Sequence, residues 1–319
     1  MSVKGKKFTD DGWAFWVDGD DTSTIYFQDW MNPKGKSFID VSVKIIGIKD
    51  TKKLSLYVPF KVGPDEVEDI SLRFEDEKIA RATFASGCLI DFMKNEYTTE
   101  MAYNGKTIDI IHLSKLSPVF KDVSSGTIIV IDYDSIKDYI DNAEGYFSFR
   151  LPHKSLDQVF GTYKSAGSFL IRLRDLITTP IQSEKYGYSI RVNETRNLPS
   201  EINRLGAFHR QKLRKAVVTV SVSEEYEIND ANCFQIRRLE EGLYRNFVPG
   251  EFSCDEVIMY QWKDSIKEEG FRGKFNFYLN IKRESISVAS MIFYMILLTI
   301  TGGLGNFFAD FVYWLHSLF

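Results

Sequence analysis

The sequence predicts a β-rich α+β soluble region, drawn as two packed sheets, followed by a C-terminal transmembrane helical segment. Period-two hydrophobic alternation recurs along the chain, an uncharged apolar run lies near its end, and a basic pair immediately precedes that run.

The strands come first. Ser37 to Ile48 and Lys53 to Phe60 alternate apolar and polar residues, the pattern of a chain with one face buried. Gly126 to Asp134 is a buried-strand run ending in acidic turn residues. Glu75 to Ala85, between these strands, and Ser135 to Asp141, just after the third, read as short helical pieces. In the second half, Tyr188 to Val192, Ala216 to Val222 and Phe275 to Ile281 read as strands, whereas Ser200 to Lys215 reads as a helix with Ser200 at its N-cap. This gives a β-rich region over 1–165 and an α+β sensing region over 166–285, divided softly at Lys164 to Ser168, then a membrane segment over 286–319.

The tail has the narrowest choice of explanations. No Asp, Glu, Lys or Arg occurs from Ser285 to Ala309, and Asp310 is the only one from there to Phe319. A bilayer core needs roughly 20 apolar residues as a helix, and Ile286 to Phe308 meets that length. A buried core helix is the alternative. Lys282 and Arg283 flank the run, which predicts that the large domain faces the cytoplasm at the inner membrane. The first residues, Met-Ser-Val-Lys-Gly-Lys-Lys, open no signal peptide. Within the tail, Gly302, Gly303 and Gly305 predict a hinge or close helix packing. Residues 306–319 read as a separate aromatic element, and Asp310 either lines a pore or lies at the interface.

Composition excludes more than it assigns. Forty Lys and Arg against 44 Asp and Glu leave a net charge of -4, so no global basicity points to nucleic acid. Cys88, Cys233 and Cys254 form no metal-ligand spacing and suit a reducing compartment. Asp132 and Asp134 follow a strand as metal-binding carboxylates would, but a solvated turn explains them too; the same holds for Asp18-Gly-Asp-Asp. His112, His153, His209 and His316 stand beside no serine or cysteine elbow, and no phosphate-binding glycine motif occurs. No cofactor is expected, and a membrane-attached enzyme, for which Asp132 is the residue to test, is an unsupported third reading.

One basic cluster stands out. From Arg196 to Lys215 there are six cations against the single acid Glu201. On a helix, Arg210 and Arg214 are spaced i,i+4 and His209 and Lys212 i,i+3, which crowds Arg204, His209, Arg210, Lys212, Arg214 and Lys215 toward one broad face. A bound polyanion would relieve their repulsion. Arg172, Arg174, Arg191, Arg237 and Arg238 extend the patch, and Phe208 or Tyr244 offers a stacking surface. The alternatives are a face paired with Glu224, Glu225 and Glu227, or one resting on anionic lipid headgroups.

The plan of Met1 to Ser285 followed by Ile286 to Phe319 resembles bacterial anti-phage membrane effectors, in which a cytoplasmic sensing domain controls a small membrane bundle. Among these it is similar to the Hailong effectors. The resemblance implies a homo-oligomeric channel, tetrameric by analogy, held shut by single-stranded DNA oligomers from a companion nucleotidyl transferase. Effectors opened by cyclic oligonucleotides share the plan, so the sign of gating stays open. The expectation is a membrane-anchored defence effector forming an ion channel or membrane-disrupting pore, gated by a nucleotide or single-stranded DNA oligomer. The competing expectation is a tail-anchored scaffold that binds a protein partner and conducts nothing.

Overall fold

The computed structural model describes residues 12–318 except 20–21, 32–35, 85–88, 92–94, 104, 154–160, 163–180, 229–232, 249, 251–255, 266–272 and 287. Strands and helices are numbered in chain order. The centre is a mixed ten-stranded sheet built from β2 (Thr22–Met31), β3 (Ser37–Ile46), β5 (Glu68–Asp69), β6 (Leu89–Asp91), β7 (Thr98–Tyr103), β8 (Lys106–Ile111), β11 (Glu144–His153), β14 (Lys212–Ser223), β16 (Gln235–Arg238) and β17 (Val257–Ser265). Its order is β16-β17-β14-β2-β3-β11-β8-β7-β6, with β5 paired to β11. A four-stranded sheet of order β1-β4-β10-β9 uses β1 (Ala14–Val17), β4 (Lys53–Val58), β9 (Val119–Val123) and β10 (Gly126–Asp132). A third, of order β12-β13-β18-β15, uses β12 (Gly161–Thr162), β13 (Ile181–Val192), β15 (Tyr226–Ile228) and β18 (Phe275–Ile286).

Alternation explains the layers. One face of the central sheet carries Ile25, Phe27, Val41, Val43, Phe147, Phe149, Val218 and Val220, which form one core with Phe15, Leu54, Leu56, Ile129 and Ile131 of the first small sheet and Tyr188, Ile190, Phe277 and Leu279 of the other. Each such side chain contributes roughly 1.5–3 kcal/mol on burial. The intervening residues of the first small sheet, Ala14, Tyr57 and Ile128, point outward and pack with Leu198, Ile202 and Phe208. Those three come from α2 (Ser200–Leu205), the residues leading into it, and the 3-10 turn Ala207–Arg210.

The opposite face of the central sheet is covered in part. Trp30, Ile108, Ile110, Tyr146 and Met259 pack under Phe74, under Ile79 and Ala80 of α1 (Glu77–Phe84), and under Tyr244 of α3 (Glu241–Tyr244) with Phe247. Where strands pair on this face, polar groups satisfy one another: Ser42 and Ser148 stand opposite with oxygens 2.7 Å apart, and Arg150 grips Asp40 at 2.6 and 2.8 Å.

The expectations for the basic helix, its N-cap and a separate terminal element are corrected. Ser200 to Lys215 is not one helix. Gly206 adopts φ 64°, a left-handed conformation that stops α2, and the β-branched run Val217 to Val222 draws the preceding lysines into β14. The N-cap is Pro199, without a side-chain cap bond, and Ser200 is the first helical residue. In the tail, β18 extends to Ile286, and α4 (Val288–His316) then runs unbroken through Gly302, Gly303 and Gly305. Residues 306–316 thus continue the same helix rather than forming a second element. Strands from both sides of residue 165 share the central sheet, so the chain before and after it does not form separate sheets; Lys164 to Ser168 lie outside the described residues.

Candidate ligand pocket and apolar tail helix

The uncovered part of the central sheet opens into a cavity of about 540 Å³. Its floor comes from adjacent strands: Tyr26 on β2, Lys44 on β3, Lys215 and Val217 on β14, Gln261 and Lys263 on β17. Pairing puts these side chains on one face, since Val217 lies opposite both Tyr26 and Lys263, while Lys215 and Lys44 both lie opposite Thr24. The walls are Arg81, Thr83 and Phe84 of α1, Phe234 and Arg237 along β16, and Tyr244 of α3. A smaller cavity of about 80 Å³ shares Tyr26, Val217, Arg237 and Tyr244 and continues toward Asp40 and Phe247.

The charge in this cavity is one-sided. Lys44, Arg81, Lys215, Arg237, Arg238 and Lys263 line it, and Glu240 is the only acid among its described lining residues. Some cations have carboxylates: Lys44 pairs with Glu144, Arg81 with Glu77, and Arg238 with Glu224. Among the described residues, none pairs with Lys215 or Lys263. Burial, followed by the nearby charges of Lys263 and Lys44, lowers the Lys215 ammonium to about 8.

Aromatic rings interleave with the cations. Lys215 lies 5.6 Å from the Tyr26 ring centroid, Arg237 lies 5.3 Å from Tyr244 and Lys263 lies 5.4 Å from Phe234. Phe234 is 63% exposed at the rim, leaving ring surface for a ligand to stack on. The cavity therefore suits an anion that also carries a flat ring.

The sequence-predicted basic residues divide between two sides of the molecule. Lys215 lines the cavity. Lys212 sits on the same face of β14, because the register slips at Arg214 and leaves that residue unmatched on β2. Arg204, His209 and Arg210 are exposed on the α2 side, beyond the first small sheet, while Phe208 is fully buried there and has no ring face free for stacking. Arg172 and Arg174 lie outside the described residues. Sequence reading missed Tyr26, Lys44, Arg81, Phe234 and Lys263, which come from separate elements. Lysines within otherwise apolar strands, Lys44 in Val-Ser-Val-Lys-Ile-Ile above all, are the local signal available.

The described residues of the acidic motifs pair locally with lysines and backbone N–H groups. Asp132 is lowered from the usual carboxylate range by its hydrogen bond to Lys53, at 3.0 Å, and Asp134 lies 3.6 Å from Lys52. Asp18 Oδ1 accepts from the backbone N–H of Lys52 and Lys53, while Asp20 and Asp21 lie outside the described residues. No metal-binding group of three His, Cys, Asp or Glu occurs among the described residues.

The tail helix is distinct from the packed layers. Tyr294–His316, 23 residues of mean hydropathy 1.5, is long and apolar enough to cross a membrane, and none of it is buried against the rest of the chain. Thr299, Gly302, Asn306, Asp310 and Tyr313 recur at spacings of three and four, on one side of the helix. Thr299 and Thr301 turn their hydroxyls back to the carbonyls of Met295 and Leu297, both at 2.9 Å. A Cβ on Gly302, Gly303 or Gly305 would meet nothing within 4 Å among the described residues.

No protein-family model and no curated protein matches this chain. Among solved structures, it is similar to the zebrafish (Danio rerio) Fcho1 Mu homology domain with bound Eps15 peptide, at 6% identity over 86% of this chain and 79% of that one; the TM-score of 0.14 carries no argument.

Proposed function

We propose that this protein is a membrane-anchored anti-phage effector whose soluble domain receives a nucleotide or single-stranded DNA oligomer and whose tail helices, brought together from several copies, conduct ions. The observation that carries the ligand half is Lys215, a partly buried ammonium facing a 540 Å³ cavity beside Lys44 and Lys263. Like charges held at this density gain from a bound polyanion, and the interleaved rings favour bases over bare phosphate.

The tail half is supported by the stripe of Thr299, Gly302, Asn306, Asp310 and Tyr313. An acid within a membrane helix is costly unless it faces water or partner chains. Glycines cost helix stability and, among the described residues, nothing occupies the space beside them, so close approach of neighbouring helices accounts for them best. Lys282 and Arg283, just before the apolar run, support a soluble domain that faces the cytoplasm at the inner membrane. The plan's resemblance to anti-phage effectors, tetrameric and supplied by a companion nucleotidyl transferase, supplies the biological role.

The test is to purify the protein in detergent, measure its mass by light scattering, record its absorbance for carried-over nucleotide, and follow membrane depolarisation on expression. A closed oligomer carrying nucleotide, with depolarisation that requires residues 288–319, is the expected result. A ligand-free monomer with no effect on the membrane would sink the reading. That outcome would favour a tail-anchored scaffold, for which the exposed Phe234 and Ile236 along the edge strand β16 offer protein-binding surface.

A further inference from the structure

One chain of contacts connects the cavity to the tail. Arg238 lines the cavity and pairs with Glu224. Glu224 and Glu225 form the two-residue corner where the backbone leaves β14 in the central sheet and enters β15 in the third sheet. Glu225 pairs with Arg283 at 2.9 Å. Arg283 sits directly opposite Tyr226 in the β15–β18 register, with its guanidinium 5.5 Å from that ring's centroid. It stands near the end of β18, five residues before α4 begins at Val288.

The two ion pairs differ in exposure. The Arg238 and Glu224 side chains are 64% and 49% exposed, whereas Arg283 and Glu225 are 20% and 33% exposed. An exposed pair contributes little stability and exchanges partners readily; a more enclosed one, reinforced by an aromatic ring, holds geometry better. Phosphate, with more negative charge and several acceptor oxygens, competes well against a single exposed carboxylate for a guanidinium fork.

We propose that the corner Glu224–Glu225 is the switch between cavity and tail: an incoming phosphate takes Arg238 from Glu224, the corner is released, and the change reaches α4 through Glu225 and Arg283. This rests on the nucleotide-receptor reading above and names how that site acts. It meets the condition that a ligand shifts an equilibrium only by contacting its two states differently, since Arg238 is withheld in one state and engaged in the other.

The experiment is amide hydrogen exchange on the full-length protein in detergent, with and without a fluorescent single-stranded decadeoxynucleotide of mixed sequence, whose binding is read separately by anisotropy. On binding, exchange should quicken at Glu225 to Ile228 and at the β18 residues that face them. Glu224→Gln should show the quickened exchange without the oligonucleotide and bind it about two- to fivefold more tightly, the range expected from one exposed ion pair. Glu240→Gln removes an equal charge from the cavity lining and should tighten binding without altering exchange at the corner. If the oligonucleotide binds but exchange at β15 and β18 is unchanged, or if Glu240→Gln and Glu224→Gln behave alike, the switch is overturned while the receptor survives. If the wild-type protein does not bind the oligonucleotide, both fall.

Discussion

Lys215 and Tyr26 occupy neighbouring parallel strands, with the ammonium 5.6 Å from the ring centroid and facing the same cavity as Lys44 and Lys263. A cation set over a ring, with two more cations beside it and, among the described residues, no carboxylate paired with Lys215 or Lys263, is an arrangement that a bound anion would stabilise.

Lys215→Met keeps the aliphatic stem and removes the charge. Affinity for the labelled decadeoxynucleotide should fall about tenfold or more, the scale of a charge-assisted hydrogen bond. The slope of log affinity against log salt should flatten by about 0.7, as for one lost phosphate contact on a single strand. Anisotropy titrations across a salt series measure both, and an unchanged slope would remove Lys215 from the phosphate site.

Binding should depend on pH in a defined direction. Lys215 is lowered to about 8, chiefly by burial and then by Lys263 and Lys44. Its protonated form attracts the anion, so affinity should hold below pH 8 and weaken as pH rises through that value. Linkage runs the other way for folding: between about 8 and the unfolded lysine value of about 10.4 the unfolded chain holds more protons, so this group's contribution favours the folded state increasingly as pH rises. Lys215→Met should abolish the change in affinity near pH 8, and isothermal titration in buffers of different ionisation heat would register the lost proton uptake.

Arg204→Ala combined with Arg210→Ala removes two exposed cations beyond the first small sheet. Oligonucleotide affinity should change by less than about twofold, as expected of exposed, salt-screened charges that do not line the cavity. A loss equal to that of Lys215→Met would return the ligand to the α2 side.

Arg150 and Asp40 are each 2% exposed, and Asp40 also accepts from the Trp30 indole N–H at 2.7 Å. Arg150→Ala should destabilise the soluble region by about 3–5 kcal/mol, because it leaves a buried carboxylate without its countercharge. Denaturant unfolding of the detergent-solubilised protein checks this, and a loss below about 1 kcal/mol would show that water reaches Asp40.

A chain ending at residue 286 should leave the membrane fraction after alkaline carbonate washing, while the full chain stays. Gly302→Leu should retain membrane insertion but lower the oligomer mass, since the bulk lies on the face carrying Asn306 and Asp310. Asp310→Asn should alter ion preference in reconstituted vesicles. Unchanged selectivity would place Asp310 away from the conduction path.

Much of the fold was legible in the chain because strand patterning is local. The alternation in Ser37 to Ile48 and the β-branched runs near 128 and 217 needed no partner to be read. The basic helix was misread because like charges at spacings of three and four fit both a helix and the start of a strand. Gly206 and the apolar residues downstream settled the choice through sheet pairing. The cavity itself left almost no sequence signal, since Tyr26, Lys44, Arg81, Lys215, Arg237 and Lys263 are far apart in the chain and meet only when strands pair.

The sequence alone determined that the chain is β-rich and that it carries an apolar helix long enough for a bilayer, because both follow from which neighbouring residues prefer water. Tertiary structure decided which cations face one another. That choice depends on strand order and register, and a slip of a single residue would turn Lys44, Lys215 and Lys263 to the opposite face of the sheet.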